Sequence, residues 1–223
     1  MQQTPAHHGY NADLLDVIPL GATKLVEVGC GSGALARAYK ALNPGAFYTG
    51  LDVVPSYVDM ARPWCDRALC LNIEQVTSDF WRDIEGTDCW IFGDTLEHLV
   101  DPWQLLLRIR ALIPHDGCIA ACIPNMQHWS VVHRLITGDL YYEDQGLLDR
   151  THLRWFTVKT MQKLFIDCGF SIESITPRIF NEPSRQQIAP VLHQLARSFG
   201  ATEIDHYDLF SPLQYIIKAV PSN

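Results

Sequence analysis

The chain has 223 residues, 48% of them hydrophobic and 19% charged, with a formal net charge of −8. That length suffices for one large α/β domain, and the composition is ordinary for a globular protein. The acidic balance and the absence of any lysine or arginine block argue against a nucleic-acid partner, because backbone binding needs a concentrated basic surface.

Residues 12–18 read as a short amphipathic helix and 24–28 as a first strand. A helix over 34–42 ends at Asn43-Pro-Gly45. Residues 46–52 form a second strand, followed by a short helix around 56–62 bracketed by Pro55 and Pro63. Arg67 to Leu71 is a third strand, 77–84 a short helix and Asp88 to Phe92 a fourth strand. Leu105, Leu106, Ile109, Leu112 and Ile113 repeat at helical spacing over 102–113. Pro114-His-Asp-Gly117 turns the chain into a strand from Cys118 to Ile123. A helix near 157–168, a strand from Gly169 to about Ile175, a helix over 186–199 and a strand from Leu213 to Val220 complete the series. Alternating strands and helices predict a doubly wound sheet.

Residues 124–156 lack one clean period and mix polar with aromatic groups. They read as a substrate cover within a single domain spanning 1–223. The apolar stretch Trp129–Ile136 is broken by His133 and Arg134, which suits a local cover or a homodimer interface, not a membrane span. No run approaches the ~20 apolar residues that crossing a bilayer takes, and the first residues lack the basic and apolar pattern of a secretory leader. The seven scattered cysteines are odd in number and form no pair of CxxC motifs. They read as free thiols in a reducing cytoplasm.

The densest signal is Leu25-Val-Glu-Val-Gly-Cys-Gly-Ser-Gly33. A strand runs into Gly29, Gly31 and Gly33, which remove side chains where a ligand must approach the backbone. Asp52 ends the next strand, where a carboxylate accepts hydrogen bonds from ribose hydroxyls. Together they indicate a nucleoside-containing ligand at the carboxyl ends of parallel strands. A nicotinamide dinucleotide is the alternative, but the spacing is Gly-x-Gly-x-Gly, and Ala34 stands where the last glycine of that fingerprint belongs.

With Gly50-Leu-Asp52, Leu71-Asn-Ile-Glu74 and Phe92-Gly-Asp-Thr-Leu-Glu-His-Leu99 following in order, the chain resembles the class I S-adenosylmethionine-dependent methyltransferases over about residues 20–176. The resemblance implies a Rossmann-like, seven-stranded sheet of order 3-2-1-4-5-7-6 with the last strand antiparallel, and S-adenosyl-L-methionine as cofactor. It places Glu27, Gly29, Cys30, Gly31 and Gly33 beside the methionine portion. Asp52 and Val53 fall at the ribose, Asn72 and Ile73 at adenine, and Asp94 faces cofactor or acceptor. Asn72 replaces the usual aspartate, but its side-chain carbonyl still accepts from the adenine amine. The N-terminal segment with His7, His8 and Tyr10 would fold over the cofactor.

The implied reaction is methyl transfer to oxygen of a small polar acceptor such as a sugar precursor. N-methylation of a metabolite and noncatalytic cofactor binding are the alternatives. Poorly nucleophilic oxygen needs a base, and imidazole titrates in the right range. The base candidates are His98, His128 and His152. Asn125, Tyr141 and Arg154 are candidate acceptor contacts, and Asp149 is placed to orient His152. Asp94-x-x-Glu97-His98 also resembles the metal-binding Glu-x-x-Glu-His variant of some methyltransferases, with His152 as a fourth ligand. Metal-free relatives carry Glu-His there too, and no metal is assigned.

Overall fold

A computed structural model describes residues 9–202 and 206–222. His7 and His8 lie outside the described residues. Seven strands form one sheet in the order β3-β2-β1-β4-β5-β7-β6. They are β1 (Lys24–Val28), β2 (Phe47–Asp52), β3 (Arg67–Cys70), β4 (Cys89–Gly93), β5 (Cys118–Pro124), β6 (Phe170–Arg178) and β7 (Gln214–Pro221). β1 to β5 pair in parallel, whereas β7 runs antiparallel to both β5 and β6. The expected sheet order and antiparallel last strand are both present.

Period-two alternation persists even in the fully covered strands, and it builds a core on each face. Val26, Val28, Trp90, Phe92, Ile119, Ala121 and Ile123 point to one face. Leu25, Cys89, Ile91, Cys118, Ala120 and Cys122 point to the other. α4 (Ser78–Asp83), α5 (Pro102–Arg110) and α7 (Val158–Asp167) cover the first face; α1 (Ala12–Val17), α2 (Ala34–Leu42) and α3 (Pro55–Ala61) cover the second. None of the described helices is long and apolar enough to cross a membrane.

Local chemistry sets the helix ends. Pro55 and Pro102 each occupy the first turn of a helix, where the missing N–H is no loss. Asp101 accepts from Gln104 N at 3.0 Å, and Thr157 and Thr160 form a reciprocal cap on α7, both satisfying otherwise bare N–H groups. Two elements differ from the sequence reading. Residues Trp129–Thr137 form a helix, α6, closed by Gly138 at φ 83°. The apolar residues Leu135 and Ile136 on it remain exposed, which obscured its period. β6 runs past Ile175 to Arg178, carrying an irregularity between Ile172 and Ser174. The remaining helix, α8, spans Pro183–Ser198.

Candidate active site

β1 is flanked by β2 on one side and β4 on the other, so the chain leaves its carboxyl end in two directions and a crevice opens there. A cleft of about 1020 Å³ occupies this position. Its walls come from the turn after β1, the ends of β2, β3 and β4, the start of α1 and the segment after α6.

The glycine turn is held from both sides. Gly29 N and Cys30 N both donate to Leu51 O, at 2.8 and 2.9 Å. Gly29 has φ 77°, and a Cβ there would lie 2.6 Å from Thr95 Oγ1. That hydroxyl donates to Val28 O at 2.8 Å, so it cannot yield without breaking a buried bond. Gly31, at φ 51°, would place a Cβ in open space, with nothing within 4 Å. Its backbone therefore faces the cleft unobstructed. Gly33 is different. It does not line the cleft, and a Cβ there would lie 2.9 Å from Ala61 Cα. Its smallness serves the packing of the α2 start on α3, while its neighbours Ser32 and Ala34 line the cleft.

Asp52 locks the turn to the end of β2. Its Oδ2 accepts from Gly31 N at 2.9 Å and its Oδ1 from Val54 N at 2.9 Å. Each carboxylate oxygen keeps acceptor capacity beyond those bonds. Glu27 is buried on the cleft wall, and its Oε2 accepts from the Tyr48 hydroxyl at 2.9 Å. Burial pushes its carboxyl up to about 8, the Tyr48 bond opposes the rise, and Asp52 adds to it. The Cys30 thiol lines the cleft, and burial drives it far above the usual thiol range, which disfavours the thiolate. Val53, half exposed, and Asn72 and Ile73 also line the cleft. Asn72 Oδ1 accepts from Glu74 N at 2.9 Å.

Asp94 lines the cleft and is the one described non-glycine residue at positive φ, 54°. Its Oδ1 accepts from the Gln214 side-chain amide and from Cys122 Sγ. Gln214 in turn accepts from Arg178 Nη1, and Arg178 Nε donates to Asp13 Oδ2 at 2.7 Å. This chain of polar groups ties the ends of β4, β6 and β7 to α1. Sequence reading missed Arg178 and Gln214. They lie 36 residues apart and meet only because β6 and β7 pair them directly.

His98 and His152 share the cleft, their ring centroids 4.7 Å apart and their planes at 72°. Burial lowers the affinity of both for a proton, and each is neutral near pH 7. Glu97 lies beside them, its Oε1 4.0 Å from His152 Nε2; burial raises its carboxyl well above the ordinary range, helped by Asp94. Asp149 is on the wall, but its Oδ1 accepts from Thr151 N and Thr151 Oγ1, both at 2.7 Å. Thr151 in turn meets His98 Nδ1, and the Asp149 charge raises the proton affinity of both His98 and His152. Tyr10 also lines the cleft.

Besides Gly33, four expected residues are not among those lining the cleft. His128 is buried elsewhere, its Nδ1 2.8 Å from Ser130 Oγ and its Nε2 3.2 Å from Glu182 Oε2. Asn125 is 0% exposed; its amide donates to Leu209 O and Pro212 O, each at 2.9 Å, and its carbonyl accepts from Gln127 N. It braces the loop leading to β7. Tyr141 is 70% exposed and lies off the cleft wall. Arg154 donates to Val100 O and rests over the Trp103 ring at 5.8 Å.

This sheet order, with a glycine turn after β1 and a carboxylate ending β2, is that of the class I S-adenosylmethionine-dependent methyltransferase fold. Residues 26–119 match the family described as a methyltransferase domain. Over 103 residues the chain is 31% identical to a ubiquinone biosynthesis O-methyltransferase of Actinobacillus pleuropneumoniae, covering 43% of each protein. A trans-aconitate 2-methyltransferase of Escherichia coli is 24% identical over 139 residues, 60% of this chain and 53% of that one. The chain thus spans about half the length of these curated relatives. Among solved structures, a SAM-dependent methyltransferase from Archaeoglobus fulgidus superposes with a TM-score of 0.64 at 18% identity, covering 94% of this chain and 91% of that one. The magnesium protoporphyrin IX methyltransferase of Synechocystis, solved with bound SAH, gives 0.57 at 15% identity, over 95% of this chain and 79% of that one.

Proposed function

We propose that the chain transfers a methyl group from S-adenosylmethionine to an oxygen of a small polar acceptor, a hydroxylated metabolite of the sugar-precursor kind. One observation carries this reading: the glycine turn, Asp52 and the histidine pair line the same cleft. The residues present fit the methyl donor. The Gly31 backbone is open, Asp52 retains acceptor capacity, and Glu27 offers a carboxyl at the end of β1. When bound, the donor supplies a sulfonium-activated methyl carbon.

Glu27 holds the methionyl ammonium, Asp52 the two ribose hydroxyls, and Asn72 and Ile73 the adenine edge, with Val53 and Cys30 closing the sides. His98 and His152, neutral and facing the cleft, orient the acceptor and take its proton. Residues 124–156 act as its cover within one domain; the cleft-lining positions of Pro124, Gly146, Leu147 and His152 support that role. The openness of the cleft supports catalysis over simple cofactor storage. The names of the curated relatives support an oxygen acceptor. Seven free cysteines support residence in a reducing cytoplasm.

The test has two arms. Calorimetry with S-adenosylhomocysteine should show binding to the wild type and a loss of about 100-fold in Asp52→Ala, as expected when charge-assisted bonds worth about 3 kcal/mol disappear. Unchanged affinity in a folded variant removes the ribose assignment. Incubation with radiolabelled methyl donor and a panel of hydroxylated and amine metabolites should label the hydroxylated ones. Labelling confined to amines overturns the oxygen acceptor.

A further inference from the structure

Arg178 is the only lysine or arginine among the described residues that line the cleft, where the carboxyl side chains are Glu27, Asp52, Glu74, Asp94, Glu97 and Asp149. An anion entering this cleft finds its charge answered at one place.

That arginine is held still. Its Nε donates to Asp13 Oδ2 at 2.7 Å, its Nη1 donates to Gln214 Oε1, and the guanidinium rests over the Phe180 ring at 5.2 Å. Its side chain is only 19% exposed. Nη2 donates to nothing among the described residues, so a fixed, largely buried cation keeps N–H groups to spare. Asn11 lines the same cleft and stands two residues before Asp13, at the start of α1. Its Oδ1 accepts from Leu14 N at 3.3 Å, which leaves Nδ2 as the free end of the amide; that nitrogen is buried and has no partner. Unmet donors on two residues tied to one turn of α1 call for a ligand group that only accepts.

The methyl donor is not that ligand. In the methyl-transfer reading, on which this inference rests, the methionyl end lies beside Glu27 on β1. β6 is four strand positions away, roughly 19 Å across the sheet at about 4.8 Å per strand. The Arg178 guanidinium reaches Gln214 on the adjoining β7 and Asp13 on α1. We infer that Arg178, with Asn11 beside it, anchors a carboxylate of the acceptor, which makes the acceptor a hydroxylated carboxylic acid. A planar carboxylate matches the guanidinium fork. A phosphate dianion fits less well, because one cation already shared with Asp13 does not offset two negative charges. The anchored carboxylate takes no part in the bond exchange. The hydroxyl oxygen of the acceptor gains the methyl as the carbon–sulfur bond breaks, sulfur keeps that electron pair, and the hydroxyl proton passes to the imidazole pair. The product is an ether acid.

The experiment titrates the full chain, saturated with S-adenosylhomocysteine, with glucuronate, quinate and 3-hydroxybenzoate and with the primary amide of each, read by calorimetry. At least one acid should bind, at least about tenfold tighter than its amide. Arg178→Gln should abolish that preference while S-adenosylhomocysteine affinity stays within about twofold. Asn11→Asp keeps the helix cap but replaces the donor with an acceptor; it should weaken acid binding about tenfold, and it serves if Arg178→Gln does not fold. Acids that bind no better than their amides overturn the anchor, as does the absence of binding by all three acids. So does a preference that survives Arg178→Gln, or Asn11→Asp where only that variant folds. An equal loss of S-adenosylhomocysteine and acid affinity in Arg178→Gln assigns the arginine to the donor and overturns the inference. With radiolabelled methyl donor, label on the bound acid should resist alkali as an ether does; alkali-labile label marks a methyl ester and overturns the anchoring role. If the wild type binds no S-adenosylhomocysteine, the methyl-donor reading fails alone, and the same acid–amide comparison on the ligand-free chain decides the anchor.

Discussion

Neutralising Glu27 should uncouple cofactor affinity from pH. Its carboxyl, buried against the Tyr48 hydroxyl, is pushed up to about 8 from an ordinary 4.5. Near pH 6.5 the ligand-free protein therefore holds Glu27 as the neutral acid. A ligand that sets an ammonium beside it favours the carboxylate and must expel the proton. Affinity gated by that ionisation falls about tenfold per pH unit below 8, so binding at pH 6.5 should be about 30-fold weaker than above pH 9. Linkage fixes the opposite trend for the ligand-free fold. With a folded value above the unfolded one, the Glu27 contribution to stability is complete below about 4.5 and is lost as pH rises through about 8. Calorimetry of S-adenosylhomocysteine from pH 6.5 to 9, in buffers of differing ionisation enthalpy, reads both affinity and proton release. The wild type should release about one proton near pH 6.5. Glu27→Gln should release none and show a flat profile; the ligand's own amino group is common to both proteins and cancels. Absence of proton release from a wild type that binds, or an identical slope in Glu27→Gln, would refute the reasoning.

Gly33→Ala should destabilise the fold by about 1–3 kcal/mol, since the new methyl meets Ala61 in a left-handed turn; a thermal midpoint equal to the wild type would contradict that packing role. Asn125→Ala strips the side-chain donors from two buried carbonyls and should cost about 3 kcal/mol. Denaturant melts measure that loss, and a folded Asn125→Ala protein should retain nucleoside affinity; a selective loss of affinity would return Asn125 to the ligand site.

Periodicity and punctuation made the sheet legible. Buried β-strands bounded by glycine and proline, alternating with helical spacing, fixed nearly every element, and the glycine turn with Asp52 located the cleft. The second half of the site was harder. His98 and His152 meet because residues 138–156 fold back without regular structure, and no local pattern encodes that path. His128, Asn125 and Arg154 look like site residues by type, yet each spends its polar atoms on neighbouring loops. Arg178 and Gln214 look like ordinary strand-end residues, and only the antiparallel register places them on the wall. α6 escaped notice because the apolar residues Leu135 and Ile136 stay in water.

The polar chain from Asp13 through Arg178 and Gln214 to Asp94 joins α1 to the ends of β4, β6 and β7, elements far apart in sequence. Because β7 inserts between β5 and β6, the part of the cleft wall carried by Arg178 and Gln214 can form only after those late strands pair, well after the glycine turn and Asp52 have appeared in chain order.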